Sequence, residues 1–153
     1  MAKLEFFFDC SSPWTWLAFS RLPGLLERTG AEIVWRPILV GGVFNAVNKD
    51  VYERRASPDA RKQAYYRKDL LDWARYCNIR IGSPPVFPVR SVEAMRGAYY
   101  ALDQGKLVPY ATAVFETYWG ELKDIGRSEV LAEVARSVGL DPHAFLAATD
   151  SVA

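Results

Sequence analysis

Histidine is nearly absent from this sequence. His143 stands alone, so no site that needs two imidazoles can be built from it. Cysteine is scarce as well. Cys10 and Cys77 form no Cys-x-x-Cys pair, which removes the usual spacing of a zinc site or a redox dithiol. A dominant charge is also missing. Lys and Arg number 19 against 18 Asp and Glu, for a net charge of +1, which offers no electrostatic footprint for nucleic acid or an anionic membrane. No apolar run approaches the ~18 residues that span a bilayer. The opening Met1-Ala2-Lys3-Leu4-Glu5 has neither the apolar stretch nor the cleavage site of a secretory signal, so the chain reads as cytoplasmic. These absences predict no metal, no nucleic acid and no membrane among its partners.

What is present is apolar and aromatic. Half of the 153 residues are hydrophobic and 14% are aromatic, with five Trp and eight Tyr, enough for one core and a ring-lined pocket. Leu4-Glu-Phe-Phe-Phe8 reads as a buried strand. Asp9-Cys10-Ser11-Ser12-Pro13 then carries a helix-start signature, with Ser or Asp to cap and Pro at the first helical position. A helix follows from Pro13 to Arg28, closed by Thr29-Gly30, and Pro23-Gly24 inside it is expected to kink it. Ala31 to Leu39 reads as a second strand, which completes a βαβ unit with parallel strands.

Val40 to Ser57, with Gly41, Gly42, Asn45 and Asn48, reads as a loop. Beyond it the pattern is helical, over Pro58–Asn78, Ser91–Gln104, Lys106–Tyr118, Ser128–Val138 and from Asp141-Pro142 onward. The exceptions are a stiff Ser83–Pro88 connector and a possible short strand near Arg80. The expected organisation is a βαβ unit over 1–40, an active-site loop over 41–57 and a helical insertion over 58–153. The fold class is α/β.

The chemistry concentrates at the first helix. A hydroxyl at a helix mouth sits where free backbone N–H groups and the helix dipole favour an anion. The same field lowers the pKa of thiols at such positions and acts equally on a bound thiol. Set against this, Ser11 and Ser12 read on their own as ordinary helix caps.

Phe7-Phe-Asp-Cys-Ser-Ser-Pro-Trp-Thr-Trp-Leu-Ala18 resembles the signature of the 2-hydroxychromene-2-carboxylate isomerases and kappa-class glutathione transferases. Those families belong to the DsbA-like branch of the thioredoxin fold, where a Cys-x-x-Cys motif opens the first helix. Here those four positions are Ser12-Pro13-Trp14-Thr15, with neither thiol. The resemblance implies that Ser12 is the catalytic residue and holds glutathione as a thiolate, with Ser11 as a second glutathione-binding candidate. It implies that Asn48 and Lys49 match an Asn-Lys/Arg pair that contacts substrate, although Asn45 competes for that role and Asn48 reads equally as a left-handed turn residue. The implied reaction is a glutathione-dependent isomerisation of a small aromatic substrate during aromatic catabolism, with a homodimer plausible. A kappa-type transferase and a non-redox thioredoxin-fold binding protein stand as alternatives.

Several residues read as bland beside these. Trp73 and Tyr76 read as core residues rather than substrate contacts, and Lys62 and Lys68 as solvated. Cys10 reads as packed and unreactive, Cys77 as buried, and His143 as a surface residue. The family pattern continues into further strands and a Gly-Val-Pro-like turn with a cis proline. None of this follows the helices before Ala153, so the C-terminal strands of the fold are expected beyond this sequence.

Overall fold

The computed structural model describes residues 2–48, 50–51 and 59–150. Strands β1 (Lys3–Phe8) and β2 (Glu32–Pro37) pair in parallel, from Lys3 opposite Glu32 to Phe8 opposite Pro37. Helix α1 (Pro13–Thr29) makes the crossover. The strands alternate as their period of two demands. Phe6 and Phe8 turn inward with Trp35, while Glu5 pairs with Arg36 at 2.8 Å on the exposed face. Over the inner face lies α1, whose Trp16, Phe19 and Leu22 are buried at helical spacing. Phe19 meets Phe6, Phe8 and Trp35 with ring centroids 5.3–6.2 Å apart.

Both ends of α1 follow the expected signals. Ser12 caps the start, Pro13 occupies the first turn, and Gly30 closes the helix at φ 62°. Pro23 lies inside a single continuous helix of 17 residues.

The segment expected to be a loop is in part a helix. Val40–Val47 forms α2 despite two glycines and an asparagine. Its apolar residues Val40, Val43, Phe44 and Val47 fall at i, i+3, i+4 and i+7, the helical period. Its first N–H, that of Val40, is held by the carboxylate of Asp9 at 2.9 Å, so an acidic group sits at the positive end of the helix. That tertiary anchor outweighs poor local propensity.

The helices expected after residue 58 are all present. They are α3 (Ala60–Cys77), α4 (Val92–Asp103), α5 (Leu107–Phe115) continued by a π-helical turn (Glu116–Gly120), α6 (Ser128–Ser137) and α7 (Pro142–Asp150). Asp59 caps α3 by accepting from the Arg61 and Lys62 N–H groups. No strand forms near Arg80 among the described residues. There the connector is held instead by single bonds, such as the Gly82 N–H to the Trp119 carbonyl at 2.7 Å.

Trp73 and Tyr76 are not core residues. They are 48% and 67% exposed, and Cys77 is only half-buried. The stripe that α3 turns inward is Leu70, Ala74 and Cys77, and the two rings flank it. Among the described residues α1 is the one helix packed closely on α3, so the stripe this helix buries is narrow.

One contiguous core joins the βαβ unit to the helices. It runs from Phe8 and Trp16 through Phe115 to Phe145. Tyr99 strengthens the join by donating its hydroxyl to the Pro37 carbonyl at 2.7 Å. Within the helical block, α4, α5 and α7 approach closely at Gly97, where an added Cβ would collide with the Tyr110 hydroxyl and the Phe145 ring. Both rings are fully buried and cannot step aside. Gly97→Ala is therefore expected to destabilise the fold by about 1–3 kcal/mol, the usual cost of overpacking. Urea denaturation gives the measurement. A midpoint equal to that of the parent would mean that the helices separate at no cost.

Candidate active site

At the end of β1 the buried Phe8 hands the chain to Asp9, which is 2% exposed. A tight turn follows, closed by the Ser12 N–H on the Asp9 carbonyl at 3.2 Å. The Asp9 carboxylate accepts the Ser11 N–H at 2.9 Å. Ser12 then stands at the N-cap, in extended conformation, and its hydroxyl oxygen accepts the Thr15 N–H at 3.3 Å. Of the two serines, Ser12 is the cap.

Three features bear on chemistry here. The Ser12 hydroxyl accepts one bond and keeps its own proton to donate. Ser12 is only partly buried, so a ligand can reach it. No acidic side chain lies in the first turn of α1 to cancel the positive end of the helix. This donor set suits a sulfur anion, which needs a hydroxyl proton and a favourable field rather than a metal or a second thiol.

The chain's own thiols do not compete for the role. Cys10 is fully buried, and burial first, with the Asp9 charge second, pushes its thiol well above the usual range. Its backbone is pinned as well. The carbonyl takes the Trp119 indole N–H at 3.0 Å, and the N–H points at Met95 Sδ at 3.4 Å. The reading of Cys10 as packed and inert agrees with this. Cys77 is free, on α3.

Beside the helix mouth, α1 and α3 enclose an apolar groove of about 230 Å³ lined by Trp14, Leu17, Ala18, Arg21, Trp73 and Cys77. The Trp14 indole donates to the Tyr66 hydroxyl, their rings meeting edge to face at 5.3 Å. Farther along, the Arg21 guanidinium lies 5.2 Å over the Tyr76 ring. Trp73, read from the sequence as core, thus lines a groove. Lys68 pairs with Asp72 at 2.5 Å.

The remaining candidates are more scattered. Asn48 ends α2 in a partly buried position with φ −149°, so it is not a left-handed turn residue. Its N–H bonds to the Phe44 carbonyl at 3.0 Å, and no hydrogen bond joins it to Ser12 among the described residues. Lys49 lies outside the described residues. His143 is exposed on α7, where its N–H bonds to Asp141 at 2.8 Å. The sequence reading missed Asp9 as a hub. The signal was faint, because an acid two residues before a Ser-Ser pair looks like any turn residue.

The chain as a whole is similar to known proteins. The DSBA-like thioredoxin domain family matches residues 3–153. A 2-hydroxychromene-2-carboxylate isomerase from Pseudomonas putida is 30% identical over 148 residues, covering 93% of this chain and 68% of that protein. The enzyme of the same name from Sphingobium xenophagum is 29% identical, covering 93% of this chain and 71% of its own length. A solved structure of 2-hydroxychromene-2-carboxylate isomerase superposes with a TM-score of 0.79 at 28% identity, over 97% of this chain and 71% of that one. A probable DsbA oxidoreductase from Streptomyces coelicolor shares the fold, with a TM-score of 0.73 at 17% identity, over 99% of this chain and 68% of that one. The chain belongs to the DSBA-like thioredoxin domain family, in the branch that holds the 2-hydroxychromene-2-carboxylate isomerases.

Proposed function

We propose that this protein is a glutathione-dependent isomerase acting on 2-hydroxychromene-2-carboxylate or a close relative formed during aromatic degradation. The observation that carries the reading is Ser12. It is a partly exposed hydroxyl at the N-cap of α1, with a proton to donate, no first-turn acid and no redox partner at Thr15. The isomerases at about 30% identity support the reaction class.

Glutathione, when bound, supplies the nucleophilic sulfur that the chain lacks at this position and is returned unchanged. The chain's part is to hold that sulfur in its charged form. Ser12 donates its hydroxyl proton to it, and the first-turn N–H groups, which have no intrahelical partner, add their field. Ser11 lies beside Ser12 as the second contact. Trp14 presents an apolar ring to an aromatic substrate and restricts water near the helix mouth. Asn48 and Lys49 are assigned to the substrate by the resemblance alone.

The test is a turnover assay on 2-hydroxychromene-2-carboxylate with glutathione at a small fraction of the substrate. The expected result is complete conversion with all of the glutathione recovered. Consumption of glutathione mole for mole would replace this reading with a kappa-type transferase. No binding of glutathione would leave a thioredoxin-fold binding protein.

A further inference from the structure

The Asp9 carboxylate is a meeting point of three chain segments. Its Oδ1 accepts the Ser11 N–H at 2.9 Å, within the turn that delivers Ser12. Its Oδ2 accepts the Val40 N–H at 2.9 Å, the first N–H of α2. The same oxygen accepts the Ser91 hydroxyl at 3.2 Å, from the residue preceding α4. The side chain is 2% exposed, so these bonds form away from water, where bonds to a charged acceptor are strong and a missing one is costly.

The behaviour of Ser91 is informative. It occupies the N-cap position of α4, where a serine ordinarily accepts from its own helix, yet it makes no such bond. Its hydroxyl is given to Asp9 instead. Val40 likewise begins a helix of low intrinsic propensity that leads to Asn48. Two helices therefore take their starting points from the acid that also closes the Ser12 turn.

We propose that Asp9 is the positioning residue of this site, its carboxylate fixing the Ser12 turn in register with the starts of α2 and α4. The proposal rests on the reading of Ser12 as the group that holds a thiolate, and it names what holds Ser12. Asparagine has the same shape but one acceptor oxygen in place of two. In Asp9→Asn the amide nitrogen must face either the Ser11 N–H or the Val40 N–H, donor against donor. The junction loses one anchor, at the Ser12 turn or at the start of α2, while the side-chain volume is kept.

The test uses a thiol placed at the helix mouth by Ser12→Cys, in a Cys77→Ser background, so that no glutathione is needed. Cys10 stays silent in the neutral range because it is buried with a raised pKa. Ultraviolet absorbance of the thiolate against pH is recorded with and without Asp9→Asn. A thiol held in register with the helix mouth has a lowered pKa. Asp9→Asn is expected to raise it by about one unit, a tenfold loss of thiolate at fixed pH. If Asp9 acted only as a neighbouring negative charge, its removal would lower that pKa, and a fall would overturn the proposal. An unchanged pKa with a lower melting temperature would also overturn it, reducing Asp9 to a structural residue.

Should Asp9→Asn fail to fold, Ser91→Ala removes one of the three donors and is expected to shift the thiol in the same direction by less. No shift in Ser91→Ala would count against the proposal. Glutathione titration of the parent protein stays separate. A parent that does not bind glutathione sinks the proposed function but leaves the thiol readout able to decide the role of Asp9.

Discussion

Ser12→Ala is expected to raise the pKa of bound glutathione by about one to two units and to move the rising limb of activity against pH upward by the same amount. A hydrogen bond to a charged group is worth roughly 1.5–3 kcal/mol, and one pKa unit corresponds to about 1.4 kcal/mol. The sign follows from which form is held. In the proposed function Ser12 stabilises the thiolate, so on that reading its removal favours the thiol, and more alkaline conditions are needed to reach the same charged fraction. The same substitution deletes the α1 cap seen on the Thr15 N–H, which costs about 1 kcal/mol of fold stability. Two readouts are therefore required, thiolate absorbance for the sulfur and thermal melting for the cap. Cys10→Ala is the control. With its thiol buried beyond reach, it should leave the titration unchanged. A titration that moves with Ser11→Ala and not with Ser12→Ala would transfer the role to Ser11.

Why Ser12 was legible and Asp9 was not has a physical explanation. A Ser-Pro pair after an aromatic strand is a local signal, since cap, first turn and strand all lie within a dozen residues. The role of Asp9 depends on Val40 and Ser91, 31 and 82 residues away along the chain, and no local pattern encodes them. The α2 helix was lost for a related reason. Its period of apolar residues was readable, but Gly41, Gly42 and Asn45 argued for a loop, and the anchor that decides the matter is a tertiary contact. Trp73 and Tyr76 were misplaced because size was taken for burial. Aromatic rings beside a helix's buried stripe often stay half in solvent, and here the smaller Ala74 is the fully buried residue.

Trp16→Ala is expected to cost about 3–5 kcal/mol, a large share of the roughly 5–15 kcal/mol that holds a domain together. Trp16 is 4% exposed and stacks on Phe115 with centroids 4.9 Å apart and planes within 10°. That pair is one of the contacts joining the βαβ unit to the helical block, since Trp16 lies on α1 and Phe115 ends α5. Removing one ring opens a cavity between rigid elements that cannot collapse to fill it. Because the core is contiguous, both parts should unfold in one transition at the lower midpoint. Trp16→Phe sharpens the prediction. The buried Trp16 indole N–H has no hydrogen-bond partner among the described residues, and an unsatisfied donor costs about 1–3 kcal/mol. Phenylalanine keeps a ring against Phe115 and removes that donor, so its loss of area is largely offset. It should fall within about 1.5 kcal/mol of the parent, well short of the Trp16→Ala cost. Near-ultraviolet and far-ultraviolet dichroism during urea unfolding follow packing and helices separately. Two resolved transitions in the parent, or a Trp16→Ala cost below about 1 kcal/mol, would show that the stacked pair does not bind the two parts into one cooperative unit.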